Sequence, residues 1–221
     1  MPETARVSPA RRRGLADEVA DSIREAIFSG AYAPGSQLRE VELSGALDVS
    51  RGPVREALLR LEREGLVRSS WHRGATVTPL TGEDISEIDS LRGALEHLAV
   101  EHVIERATES DLEAIEVAAE RMDRAADAHE MVGLDIAFHD AVYAAAGHLR
   151  LEEAWRAIRS QVHLFLLTRV GVSDDGYLAH LPGEHRELAA ALRARDTGAA
   201  QERFAAHRRH ALDVLTGGDP A

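Results

Sequence analysis

The sequence predicts a mainly α-helical chain in two parts. A small N-terminal head combines three helices with two short strands, and the larger C-terminal part is an antiparallel all-α bundle of six helices, or seven. Three observations lead to this division. Apolar residues recur at helical spacing through almost every long segment. A strand-like pattern occurs at one place, Leu66 to Ser69 and Ala75 to Thr78, on either side of Trp71-His72-Arg73-Gly74. The charge changes near residue 80: residues 1–80 hold 12 Arg and 11 Asp or Glu, whereas 81–221 hold 14 and 27. A length of 221 residues suits two domains. We divide it into a flexible basic arm at 1–13, the head at 14–79, the bundle at 80–216 and a disordered tail at 217–221.

In the head, Leu15, Val19, Ile23, Ala26 and Ile27 give the first helix its apolar face, and Gly30 and Pro34-Gly35 stop it. A second helix is expected over 40–47; Gly45 costs it about 1 kcal/mol relative to alanine, so it should be short or loose. The third helix is the most informative. Ser50 is placed to cap it, Pro53 is tolerated in its first turn and Gly65 can end it. Val54, Ala57, Leu58 and Leu61 form its buried face, while Arg51 and Arg55 stand off that face at its N-terminal end. Guanidinium forks there suit guanine edges or phosphates. Two short helices and a tight turn, the second helix opening with arginine, form a helix-turn-helix. The two strands after it make a wing.

In the bundle, Thr81 with Asp84 and Thr108 with Asp111 have capping-box spacing and open helices over 81–106 and 108–126. Ile85, Ile88, Leu91, Leu95, Leu98 and His102 are the expected buried face of the first. Further helices are expected at 130–146, 149–169, 183–195 and 198–215, and a short one at 173–178 would make seven.

The composition excludes several classes. With no cysteine there is no disulfide, thiolate metal site or catalytic thiol. With no secretory signal or long apolar run, a cytoplasmic location and no membrane partner are expected. A net charge of −12 opposes nucleic-acid binding in bulk, so placement of individual arginines must provide it. Arg11-Arg12-Arg13 would be either a phosphate-binding arm or a solvated terminal run.

Within the bundle, Asp135 and His139 are one helical turn apart. His185 and His207 lie about equally far before and after the turn expected at Asp196-Thr197, which puts them level in an antiparallel pair. One carboxylate and three imidazoles suit a divalent metal ion, zinc first, with nickel or manganese as alternatives. Spacing alone equally allows ordinary core or surface histidines. Arg92 lies at the edge of the first bundle helix's apolar face, where it would clamp an organic acid or form a surface pair with Glu96. Arg156, Arg159, His163 and Arg169 are weaker candidates for the same role.

Residues 14–79 resemble the winged helix-turn-helix of the GntR family of bacterial transcription regulators. The resemblance rests on Gly35-Ser36-Gln37-Leu38-Arg39-Glu40, Val49-Ser50-Arg51-Gly52-Pro53-Val54-Arg55-Glu56-Ala57-Leu58, Leu61, Glu64-Gly65-Leu66-Val67 and Gly74. It implies operator contacts by Arg39, Arg51 and Arg55, with Ser50 beside them, and a wing tip at His72, Arg73 and Gly74 reaching the minor groove. Ser44-Gly45 departs from the family's usual Leu-Ala.

Residues 81–216 resemble the effector-binding domain of the FadR subfamily (FCD domain). In its metal-binding members an Asp-x-x-x-His pair and two later histidines form the site, which Asp135, His139, His185 and His207 match, with Phe138, Leu188 and Ala191-Leu192 as apolar companions. An arginine in the first helix of many such domains lies in the effector cavity, as Arg92 would. Six helices point to the VanR-like branch. The resemblance implies a homodimeric regulator, most often a repressor, that binds a pseudopalindromic operator and senses a small carboxylate. A metalloenzyme is disfavoured because no HExxH-type general base is present, and Asp140 and Glu184 read as supporting or surface groups. A pure metal sensor, or a purely structural metal, is the other alternative.

Overall fold

The computed structural model describes residues 14–70, 74–172 and 176–213. The basic arm, the C-terminal tail and the wing-tip residues His72 and Arg73 lie outside the described residues.

Helix α1 (Leu15–Phe28) packs Val19, Ala20, Ile23 and Ile27 against Val54, Ala57, Leu58 and Leu61 of α3 (Arg51–Arg63). Between them α2 (Glu40–Ala46) has only seven residues, as its glycine led us to expect, and Asp48 takes a positive φ of 51° to turn into α3. The wing strands β2 (Val67–Ser70) and β3 (Gly74–Val77) pair antiparallel. The sequence reading missed a further strand, β1 (Gln37–Leu38), which adds to the other edge of β3 with Leu38 opposite Ala75. Two residues are too few to show an alternating pattern, and the pairing itself defines the strand.

Six α-helices form the bundle among the described residues: α4 (Gly82–Arg106), α5 (Glu109–Arg121), α6 (Ala128–Ala145), α7 (Leu149–Val172), α8 (Gly176–Arg193) and α9 (Thr197–Asp213). Both expected capping boxes form, with Thr81 and Thr108 accepting from Asp84 N and Asp111 N at 3.1 and 3.3 Å. Helix α5 ends at Arg121 rather than near 126, where a 3-10 turn over Met122–Arg124 buries Met122 under Tyr177 and Leu181. That contact also bears on α8, which begins at Gly176 and not 183. Pro182 removes one N–H from the helix interior, but the buried Tyr177 and Leu181 hold the preceding turn in place.

The buried stripe of α4 differs from expectation. Ile85, Ile88, Arg92, Glu96, Ala99, Val100 and Val103 face inward, while Leu91 is 47% exposed. Hydropathy misplaces the stripe because Arg92 and Glu96 neutralise each other inside the bundle, and paired charges are the exception to the rule that charged residues stay outside.

The head is docked on α7. Leu164 is fully buried in the head's core, His163 stacks on Phe28 with ring centroids 3.7 Å apart, and Glu64 accepts from Ser160 Oγ at 3.3 Å while Arg24 holds it from α1. Gly65 ends α3 with a φ of 76°, and a Cβ there would lie 2.7 Å from the Gln161 side chain. Backbone conformation and close approach to the bundle both require glycine at this position.

Candidate DNA interface and candidate metal centre

The N-terminal turn of α3 faces β1, α2 and the wing across a concave groove of about 630 Å³ whose walls include Arg39, Arg51, Arg55 and Gly74. Arg51 and Arg55 expose 59% and 61% of their side chains. Neither is free to wander, because Glu40, the first residue of α2, holds both: Arg51 NH2 donates to Oε2 at 3.0 Å, and Arg55 donates through Nε and NH2 at 3.1 and 3.0 Å. Hydrogen bonding to Arg55 holds the Glu40 carboxyl below its ordinary range. Arg39 donates to Glu42 at 2.8 Å and to Gln37 at 3.3 Å. Ser50 is the N-cap residue of α3 by backbone conformation, yet its side chain makes no cap bond.

Glu40 was not singled out from the sequence, because it opens the preceding helix, eleven residues before Arg51. Glu40→Gln is expected to raise affinity for random duplex DNA, steepening its salt dependence by about one phosphate contact, and to lower discrimination between operator and random DNA. Anisotropy titrations of both duplexes at several salt concentrations test this. An unchanged affinity ratio would reduce Glu40 to a counter-charge.

In the bundle, α6 contributes Asp135 and His139, α8 contributes His185 and α9 contributes His207. One ligand atom from each lies within 4.8 Å of the others, and all four residues are buried. Three imidazole Nε2 atoms converge on the Asp135 carboxylate: His185 at 3.0 Å, His207 at 3.9 Å and His139 at 4.0 Å. The opposite ring nitrogens all face oxygens. His185 Nδ1 lies 2.9 Å from Leu181 O, His207 Nδ1 lies 2.9 Å from Glu184 Oε2, and His139 Nδ1 lies 3.4 Å from Glu96 Oε1. Leu181 O and Glu184 thus accept the Nδ1 protons of His185 and His207, whereas His139 Nδ1 has no well-formed hydrogen bond and its lone pair is placed on Nε2 by Arg92, which can only donate.

Burial keeps His139 and His207 neutral by lowering their pKa values. Asp135 Oδ1 and Oδ2 and His185 Nε2 are buried without a well-formed hydrogen bond. Such a donor set, with orphaned oxygen and nitrogen atoms facing one point, fits a borderline divalent ion.

Arg92 is not at the surface. It is 2% exposed, donates Nε to Glu96 Oε1 at 2.7 Å and places NH2 2.7 Å from His139 Nε2. The pair with Glu96 therefore exists, but inside the bundle and against His139. Arg208 of α9 extends the chain of charges, reaching Glu96 at 3.2 Å and Asp89 at 3.0 Å. Sequence reasoning missed Arg208 and Asp89. Their one trace is Gly93 in mid-helix, where a Cβ would lie 2.7 Å from the Arg208 guanidinium.

Of the weaker candidates, Arg159 is held by Asp140 at 2.7 Å, Arg156 pairs with Glu152, His163 lies under Phe28, and Arg169 donates to the carbonyls of His210 and Ala211. Asp140 also accepts from Trp155 at 2.7 Å. Glu184 receives His207 and His210 and is held at a pKa of about 2, chiefly by the hydrogen bond from His207.

A winged helix-turn-helix joined to this helical bundle defines a DNA-binding transcription regulator. Residues 15–77 match the family described as bacterial regulatory proteins, gntR family, and residues 87–210 match the FCD domain. The chain belongs to the GntR family and carries an FCD domain. It is 32% identical over 202 residues to a protein of Paenarthrobacter nicotinovorans named "Probable D-xylose utilization operon transcriptional repressor", covering 89% of this chain and 86% of that one. To the galactonate operon transcriptional repressor of Escherichia coli it is 28% identical over 207 residues, covering 84% and 90%. A crystal structure of a GntR transcriptional regulator from a Rhodococcus species matches with a TM-score of 0.79 at 29% identity, over 93% of this chain and 99% of that one. The family and these relatives are transcriptional regulators, not enzymes. No helix among the described residues is long and apolar enough to cross a membrane.

Proposed function

We propose that the protein is a homodimeric repressor that reads a pseudopalindromic operator with α3 and releases or tightens on it when a small organic acid binds beside a divalent ion. The observation that carries this is the buried convergence of Asp135, His139, His185 and His207 in a chain whose other half is a reading head. Zinc suits three imidazoles and one carboxylate, and nickel or manganese would serve the same ligands. Those four residues would hold the ion, which would supply an electrophilic centre for acid oxygens, with Arg92 beside it as a carboxylate clamp. The galactonate and gluconate operons in the names of two relatives favour a sugar acid, whereas the D-xylose of a third is a neutral sugar. Arg39, Ser50, Arg51 and Arg55 would meet the operator, with the wing from His72 to Gly74 in the adjoining groove.

The route between the halves is physically short. His139 faces the cluster while its neighbour Asp140 holds Arg159 of α7, and the next residue of α7, Ser160, reaches Glu64 at the end of α3. A shift of α6 against α7 would therefore move the reading head. For this to be regulation, the acid must bind the two arrangements with different affinities.

Selection of binding sites from random duplex DNA tests the reading. It should enrich an inverted repeat with half-sites spaced by roughly one helical turn or a multiple of it. Galactonate and gluconate, added to zinc-loaded protein, then probe whether a sugar acid changes operator affinity. Failure to enrich any sequence at fixed salt would overturn the DNA-binding assignment, and no response to either acid would remove the sugar-acid preference.

A further inference from the structure

We propose that Arg92 and the divalent ion are alternative partners of one lone pair, that of His139 Nε2, so that metal uptake releases the guanidinium edge that then clamps an anion. This rests on the metal reading above and adds an order of events to it.

A neutral imidazole has one N–H and one lone pair. Arg92 can only donate, so its contact fixes the proton of His139 on Nδ1 and the lone pair on Nε2. That atom faces Asp135 and accepts from Arg92 NH2 at 2.7 Å. A nitrogen that has given its lone pair to a metal ion has none left for a guanidinium N–H. The two cations would also repel each other across a site whose four candidate ligand residues are all buried. Binding through His139 Nε2 therefore requires Arg92 to let go.

The surroundings allow this movement and limit it. Arg92 keeps a second attachment, Nε on Glu96 at 2.7 Å, about which the NH2 edge can turn without the side chain leaving the interior. Glu96 is itself anchored from α9 by Arg208, and Arg208 by Asp89. The released edge thus stays beside the ligands as a charged donor without an acceptor. A buried guanidinium edge left unpaired is costly, and a carboxylate oxygen would satisfy it. By this account the anion clamp is assembled by the metal, and an acid meets a complete site only after the metal has bound.

The arrangement makes a prediction whose sign separates it from a supporting role. If Arg92 competes for His139, Arg92→Met should bind zinc on the order of tenfold more tightly than the unmodified chain, the scale on which neighbours of metal ligands act. Competition against a chelator of known zinc affinity measures this, with circular dichroism as the check on folding. Unchanged or weaker zinc binding by folded Arg92→Met would overturn the proposal. A crystal structure of the zinc-loaded, unmodified protein gives a test that needs no variant. It should show zinc on His139 Nε2 and Arg92 NH2 out of hydrogen-bond distance of that atom. Zinc held by Asp135, His185 and His207 with Arg92 still on His139 would also overturn it, while leaving the metal reading intact. Complete failure of the unmodified protein to bind zinc would remove both.

Discussion

His185→Ala is expected to abolish tight zinc uptake, lowering affinity by more than the roughly 10- to 100-fold that loss of a supporting group costs, while leaving operator affinity without added acid close to that of the unmodified chain. His185 is fully buried, its ring is fixed from behind by Leu181 O, and its Nε2 makes the shortest approach to Asp135. Alanine there removes one of the four proposed ligands, and the candidate cluster has no other residue of α8 to replace it. The effect is readable as stability. Zinc at roughly a thousand times its Kd stabilises the folded chain by about 4 kcal/mol, so the unmodified protein should melt at a distinctly higher temperature with zinc than without it. In His185→Ala that difference should nearly vanish. A zinc-induced shift of the same size in the variant would place the ion elsewhere.

Arg55→Ala should weaken operator binding by about 1–3 kcal/mol, the range of a good bidentate base contact. Loss of a phosphate contact would instead weaken operator and random DNA alike and reduce the salt slope by about one. Arg55 is well suited to base reading because Glu40 grips its guanidinium through two nitrogens and fixes its plane, while more than half of the side chain remains exposed to the groove. Arg51 shares Glu40 through a single nitrogen and is held less firmly. Anisotropy titration at fixed salt measures the change, and unaltered operator affinity would remove Arg55 from the interface.

The reading head was largely legible because its sequence signals are local. The side-chain cap expected of Ser50 does not form, but the apolar stripe of α3 and the two glycines that end α1 and α3 each act within a few positions of themselves. The same holds for Asp135 and His139, one turn apart on α6. Juxtaposition of His185 and His207 follows from their distances to the turn between α8 and α9, and their rings lie 4.6 Å apart. What was not legible depends on partners far along the chain. Glu96 is 112 residues from Arg208, and Arg92 is 47 from His139, so hydropathy assigned Leu91 to the interior and left open whether Arg92 was a cavity clamp or a surface partner of Glu96. β1 escaped notice for the same reason, since its two residues become a strand only by pairing with β3.

The proposed regulation requires each chain to hold a divalent ion at Asp135, His139, His185 and His207. Elemental analysis of untagged protein, purified without chelators and then dialysed against zinc and freed of excess metal, measures this. About one ion per chain, lost in His185→Ala, is the predicted result. Less than about a tenth of an ion per chain, with no uptake of nickel or manganese either, would contradict it.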